Sequence, residues 1–534
     1  MSVIFHKDKR SGITYAYETK GYWDKEKKQA RSHRTLIGRV NTDGQIIATD
    51  GRCRKNKDGV KYTRKRGPVP ITQTARYFYG ATYLFDEIGK MTGLTEDIKT
   101  CFPDMYKQIL SIAYFLILDD NSSLMHFPHW AMSHQHPFDD IITSQRSSKL
   151  FASIDEEKTR HFFRLQGKRR IETEYWAYDS TSISSYSETL KQVKYGKNKE
   201  NDLLPQINLL LIFGEQSGLP FYYRKLAGNI PDVTTVRTLL KELDILGYSN
   251  VKLVMDRGFY SEMNINQLFQ YHEKFIMAAR CTLAFVHERI KCWHETIKDL
   301  NCYDEASCLY YRSEIISWQY SQKRPYKKDL LTAKRRMYLH VFFNSEKAAD
   351  QEKAFNAKLL KMQRELKNNE CKKSHEKAYQ KFFTVKKIRG KITVVAIKQD
   401  AVKTARECHG YFALVTNEIK DPIQALQIYR TKDVVEKAFG NIKERLNCRR
   451  LLVSSEASLN GKLFVEFLAL IIISYIHKKM QVKELYKTYT MIELLDELEL
   501  VQSFCEPGRA PIVGEVLKKQ CDIYEALDIK PPLT

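Results

Sequence analysis

No stretch of this 534-residue chain reads as a membrane span. The most apolar run, residues 467–476, has ten residues, about half the ~20 needed to cross a bilayer. Its flanks, Glu466 and His477-Lys478-Lys479, point to a buried helix. The opening residues Met1-Ser2-Val3-Ile4-Phe5-His6-Lys7 lack a long apolar core, so no secretory signal is expected. The eleven cysteines include no C-x-x-C pair. An odd, scattered set fits reduced structural thiols in a cytosol. Acid is the scarcer charge: 64 Asp+Glu stand against 87 Lys+Arg, a net +23. Global disorder is excluded by 43% hydrophobic and 12% aromatic residues. The positive surplus asks for a polyanionic partner, usually nucleic acid or an anionic membrane.

What is present divides the chain into several regions, as its length suggests at about 150 residues per domain. Residues 1–66 hold 18 Lys/Arg and 7 Asp/Glu, a net +11. The charge concentrates at Arg52, Arg54 and Lys55, and again at Arg64, Lys65 and Arg66, which predicts a DNA-binding surface. β-rich runs at 13–17, 35–40 and 45–48, with Asp43-Gly44 before the last, predict short strands and a hairpin. Gly67-Pro68-Val69-Pro70 reads as a linker. Residues 67–168 read as a helical domain. Its cluster His126, His129, His134 and His136 has no cysteine within it and no common zinc spacing. Packing around Phe127, Pro128 and Trp130 is the expectation there.

From 169 the order becomes β-β-β-α-β-α-β, a mixed α/β layer with acids at strand ends. Residues 281–415 interrupt it with strands and one long charged helix at about 345–383. Phe355, Leu359, Met362 and Leu366 form a narrow apolar seam on that helix. Trp293 and Trp318 also lie in this insertion, and core packing is the expectation for both. The α/β unit resumes at 416–480, and 481–534 reads as a helical tail.

Three acids stand out by position. Asp179 follows a strand and begins Asp-Ser-Thr, Asp256 ends a strand before Arg257-Gly258-Phe259, and Glu436 lies in a predicted helix from 429 to 446. Carboxylates at the ends of adjacent strands repel unless cations neutralise them. Mg²⁺, which takes few carboxylates plus water and phosphate oxygens, suits such a cluster. Two such ions promote in-line displacement at a phosphodiester. On one continuous helix, Tyr429, Lys432, Glu436 and Lys443 share a stripe about 60° wide, beside an apolar stripe of Val435, Phe439, Ile442 and Leu446. An ordinary amphipathic helix with solvated charges explains that pattern as well as a phosphate-binding face does.

Together these residues resemble a DDE transposase of a bacterial insertion sequence. The carriers are Tyr178-Asp179-Ser180-Thr181, Val254-Met255-Asp256-Arg257-Gly258-Phe259, and the segment 429–443. The last is similar to the Y-x2-R-x3-E-x6-K signature, with Lys432 where the family usually has Arg, a change that keeps charge and loses the bidentate fork. The resemblance covers residues 1 to about 480. It implies a ribonuclease H-like fold, a β-rich insertion between the second Asp and the Glu, and two Mg²⁺ (Mn²⁺ substituting) held by Asp179, Asp256 and Glu436. It implies double-stranded DNA bound by Tyr429, Lys432, Lys443 and Arg257, and a dimer on paired ends. The implied activity is cleavage at element ends and joining of 3′-hydroxyls to target DNA. A nuclease of the same fold without strand transfer, or a silent DNA-binding protein, are the alternatives.

Overall fold

The computed structural model describes residues 2–9, 11–41, 44–48, 74–119, 123–169, 174–196, 203–248, 251–324, 329–388, 391–446, 451, 453, 455–506 and 509–533. They form two compact units, Met1–Arg76 with Ser503–Ile512, and Tyr77–Gln502 with Val513–Thr534.

The first unit carries an antiparallel sheet in the order β1 (Ser2–Lys7), β2 (Thr14–Asp24), β3 (Gln29–Val40), β4 (Ile46–Ala48). The predicted hairpin joins β3 to β4. Val40 pairs with Ile46, and Asn41 accepts the Gln45 N–H on its Oδ1 at 2.8 Å. Gly44 sits at φ +79 in this turn, a conformation that glycine adopts without steric cost. The basic residues Arg52, Arg54, Lys55, Arg64, Lys65 and Arg66 lie outside the described residues. A short strand, β5 (Ala75–Phe78), follows.

The second unit begins with six helices: α1 (Gly80–Met91), α2 (Leu94–Cys101), α3 (Tyr106–Leu118), α4 (Phe127–Ala131), α5 (Ser144–Ser153) and α6 (Glu156–Lys168). The histidine cluster packs here. His134 stacks on Trp130 with ring centroids 4.6 Å apart and meets Glu499 at 3.0 Å. His136 lies 3.0 Å from the Ser111 hydroxyl, and burial pushes its imidazole down to about 4.

The nine-stranded sheet runs β11-β12-β13-β16-β10-β9-β6-β7-β8. Its members are β6 (Tyr175–Ser184), β7 (Gln206–Gly214), β8 (Pro220–Ala227), β9 (Lys252–Met255), β10 (Lys274–Ala279), β11 (Tyr303–Asp304), β12 (Leu309–Lys323), β13 (Leu330–Phe343) and β16 (Tyr411–Thr416). Two further strands, β14 (Phe383–Ile388) and β15 (Lys391–Ile397), pair with each other apart from it. Helices α7 (Asp232–Leu246), α8 (Glu262–Gln270) and α9 (Ala284–Trp293) fall between the strands. The core order β8-β7-β6-β9-β10, with β6, β9 and β10 mutually parallel, is the ribonuclease H-like arrangement. The insertion's long strands do not build a sheet of their own. β12 and β13 join this one through β16.

Within 281–415 the long charged helix is also two helices. α10 (Ser345–Lys367) ends at Asn368-Asn369, and α11 (Glu376–Phe382) follows. Asn369 adopts φ +59, a left-handed residue of the kind that stops helices. The predicted seam is buried: Leu359, Met362 and Leu366 form a separate apolar cluster with Tyr379, Phe382, Phe383 and Val402. Val402 comes from α12 (Gln399–Arg406). Trp318 donates to Asn266 Oδ1 at 2.8 Å, and both insertion tryptophans pack against the main core.

Two helices, α13 (Pro422–Arg430) and α14 (Asp433–Gly440), lead to α15 (Glu456–Val482). This last helix is long and apolar enough to cross a membrane by length and composition, yet 89% of its apolar window is buried inside the protein. It packs on α3, α5 and β8. Each fully buried Leu or Ile there is worth about 1.5–3 kcal/mol, so the helix is the centre of the core. The segment after it is not a loose tail. α16 (Met491–Glu499) and α17 (Lys518–Ala526) bury Leu494, Leu498, Ile523 and Tyr524 in that core. Tyr524 donates to the Gly80 carbonyl at 2.9 Å. Among the described residues, Cys101, Cys281, Cys292, Cys302, Cys308, Cys371, Cys408 and Cys521 are free thiols.

Candidate active site

Strand alternation decides which residues can meet. Along β9, β10 and β16, Leu253, Met255, Phe275, Met277, Ala413 and Val415 join the main core, while Val254, Ile276 and Leu414 join a second cluster with Leu426 of α13. Successive side chains of a strand point to opposite faces. Asp256 keeps the parity of Val254, and Asp179 that of Tyr175, which also belongs to the second cluster. Both acids therefore project to the face that α13 covers. Tyr178 pairs with Met255 across the parallel strands β6 and β9, so Asp179 and Asp256 follow side by side. Asp179 is the one residue of β6 that is not buried, and its Oδ1 accepts the Ser180 N–H at 2.7 Å.

The third acid arrives by a route that helical periodicity does not describe. Residues 429–446 are not one helix. α13 ends at Arg430, Thr431 and Lys432 form a turn, α14 begins at Asp433, and Asn441–Arg445 is a π-helical turn. α13 packs on β9, β10 and β16, whereas α14 packs on β6 and β7. Its Val435, Ala438 and Phe439 belong to the main core on the opposite face. The break carries the chain around the end of the sheet, and the turn residue Lys432 and the α14 residue Glu436 stand at that end. The single stripe expected on a continuous helix is thus replaced by a bend.

At the bend the side chains converge. The Tyr429 hydroxyl donates to Asp256 Oδ1 at 3.1 Å. Burial, then the Asp256 charge, pushes that phenol well above its ordinary range. Lys432 Nζ donates to Glu436 Oε1 at 2.7 Å and stands 4.0 Å from Asp256 Oδ1. Burial opposes the Lys432 charge, but the hydrogen bond to Glu436 and the fields of Asp256 and Asp179 outweigh it, and its pKa is raised. Its side chain is only 11% exposed, against 58% for Glu436.

Asp256, Tyr429, Lys432 and Glu436 open onto a cleft of about 750 Å³ that Arg257, Arg280, Lys347 and Arg430 also line. Arg280 and Lys347 are missed by sequence reasoning. Arg280 follows β10 just as Asp256 follows its parallel neighbour β9, so the strand-end rule that singles out Asp256 also reaches it. Lys347 comes from the first turn of α10, and no local signal marks it. Lys443 lies in the π-helical turn and does not line the cleft.

The donor set of Asp179, Asp256 and Glu436 is all carboxylate, the chemistry that hard divalent cations take. Among the described residues, no group of three or more His, Cys, Asp or Glu side chains is gathered closely enough to hold a metal ion. The Lys432 ammonium supplies the positive charge between Asp256 and Glu436 instead. The residues fit a divalent cation by type, with Glu436 turned toward Lys432.

The family described as Transposase DDE domain matches residues 173–472. This span contains every strand of the large sheet and all three acids. No curated protein sequence matches the chain. Among solved structures, the cryo-EM structure of the piggyBac transposase synaptic complex with hairpin DNA is similar at a TM-score of 0.36 and 12% identity, with 82% of each chain covered. Since the family match covers more than half of the 534 residues, the chain belongs to the Transposase DDE domain family and is a transposase.

Proposed function

We propose that this transposase binds the terminal inverted repeats of a bacterial insertion sequence, hydrolyses the phosphodiester at each element end, and joins the freed 3′-hydroxyls to target DNA. The observation that carries this reading is the convergence of Asp256, Tyr429, Lys432 and Glu436 at one end of the sheet, beside a cleft lined by further cations. Asp179, Asp256 and Glu436 would hold two Mg²⁺, for which Mn²⁺ substitutes. Bound there, the ions supply activation of the attacking oxygen and stabilisation of the leaving one.

The chain's own residues do the rest. Tyr429 fixes the Asp256 carboxylate by donating to one oxygen and leaves the other free to act. Lys432 holds the neighbouring carboxylates together while no other cation does. Arg257, Arg280, Lys347 and Arg430 present donors to backbone phosphates around the scissile bond, which orients the duplex without reading its sequence. Lys443 contributes a phosphate contact beyond the cleft. In the first step a water oxygen bonds to phosphorus and the P–O3′ bond breaks, leaving a 3′-hydroxyl. In the second step that hydroxyl attacks a target phosphorus and displaces the target's own 3′-oxygen. The basic residues of 1–66 grip the repeats. The protein works as a homodimer on paired ends, in the bacterial cytoplasm at the nucleoid.

Asp256→Ala tests this. It should retain binding to an end-containing duplex and lose Mg²⁺-dependent nicking. Nicking at an undiminished rate would remove Asp256 from the mechanism. A pre-cut end offered with target DNA separates strand transfer from simple nuclease activity, since a nuclease yields no joined product.

A further inference from the structure

The surplus of positive charge has a second location. Residues 345–406 contain 17 Lys/Arg and 7 Asp/Glu, a net +10. With the +11 of residues 1–66, these two segments hold nearly all of the chain's +23. The segment spans α10, α11, the β14–β15 hairpin and α12, and it has its own apolar cluster.

Its charge is arranged by helix geometry. On α10, Leu359, Met362 and Leu366 face the cluster. Lys353, Lys358, Lys361, Arg364 and Lys367 point away from it and are exposed. The only acids between 351 and 369 are Glu352 and Glu365. Glu352 is engaged by Arg406 at 2.9 Å and His409 at 3.0 Å. Glu365 is buried, accepting from the Tyr379 hydroxyl and meeting His375 at 2.8 Å. These same contacts tie α10 to α11 and α12, and the outer side carries five cations spread over about 180° of the helix, four of which (Lys353, Lys361, Arg364 and Lys367) lie within about 120° as a row. The row is about 21 Å long at 1.5 Å per residue. Lys347 and Gln351 at the start of α10 line the cleft, with the exposed acids Glu346 and Asp350 on the same first turns of the helix. Lys347, Lys358 and Lys361 fall within about 60° of one another around the helix axis.

We infer that the outer face of α10 is a second DNA-backbone contact surface, which tracks the duplex as it leaves the strand-end cleft. A duplex carries about one negative charge per 1.7 Å of axis, so the row of Lys353, Lys361, Arg364 and Lys367, about 21 Å long and without an ion pair among the described residues, matches one flank of it. The contact reads phosphates and not bases, since the face presents lysines, an arginine, two alanines and Leu360. This inference rests on the proposal that the partner is DNA.

The test uses the full chain without divalent cation, so that no cleavage intervenes. Binding to a duplex of arbitrary sequence is measured by fluorescence anisotropy across a salt series. Combining Lys353→Gln, Lys361→Gln, Arg364→Gln and Lys367→Gln should reduce the slope of log affinity against log salt by about 3.6, at roughly 0.9 per lost contact. Lys361→Glu with Arg364→Glu should weaken binding further at low salt, and both variants should keep the wild-type far-UV circular dichroism. The exposed lysines Lys99, Lys107, Lys149 and Lys168, all changed to Gln, serve as a charge-matched control with an unchanged slope. An unchanged slope in the α10 variant, or an equal drop in the control, overturns this surface alone. Failure of the unsubstituted protein to bind any duplex overturns the DNA reading with it.

Discussion

The ammonium of Lys432 donates to Glu436 at 2.7 Å while standing 4.0 Å from the Asp256 carboxylate. One buried cation thereby bridges two acids that come from opposite faces of the sheet end. At an effective dielectric near 20, a pair of unit charges at such a separation interacts by about 4 kcal/mol. A divalent cation bound as proposed would therefore compete with Lys432 for the same carboxylates.

Lys432→Met should tighten Mn²⁺ binding by roughly tenfold or more, because the competing charge is gone. Titration of the DNA-free protein by electron paramagnetic resonance measures this directly. Unchanged or weaker Mn²⁺ affinity would show that Lys432 does not compete.

Tyr429→Phe removes the donor to Asp256. The cost in urea unfolding should be about 1.5–3 kcal/mol, typical of a hydrogen bond to a charged group. Nicking should slow as well, with end binding nearly intact. A variant as stable and as active as the parent would mean that the hydrogen bond positions nothing.

Neutralising Arg52, Arg54, Lys55, Arg64, Lys65 and Arg66 to Gln should lower the salt dependence of binding to an element end. If these residues grip the repeats, discrimination between an end and an arbitrary duplex should fall too. Retained discrimination with retained slope would place repeat recognition elsewhere.

Glu273 precedes β10 and is 5% exposed, and burial pushes its carboxyl up to about 7. Its folded pKa lies above the unfolded value, so the folded state holds a proton that the unfolded state releases. Stability is thus highest below the unfolded pKa of ~4.3, and it falls as the pH rises from there to about 7. Glu273→Gln should flatten this fall and leave the protein relatively more stable at alkaline pH. Thermal melts across that window check the sign. A variant that follows the parental pH curve would show that Glu273 is not the group responsible.

The sequence by itself determined which residue types meet DNA chemistry. Alternation and strand-end position singled out Asp179 and Asp256, because a strand's period of two and its termination are local properties. The β-β-β-α-β-α-β order of a mixed α/β layer was legible for the same reason, with the ribonuclease H-like core implied only by the resemblance of the motifs, and the seam of Leu359, Met362 and Leu366 was visible as a helical period. Tertiary structure decided what local periodicity cannot express. The break at Thr431-Lys432 exists because α13 and α14 each bury an apolar side against a different sheet face. A continuous helix cannot satisfy both. That bend, not a helical stripe, brings Lys432 and Glu436 to Asp256. Arg280 and Lys347 joined the cleft through strand pairing and the return of the insertion, contacts separated by tens to hundreds of residues, which no sequence window contains.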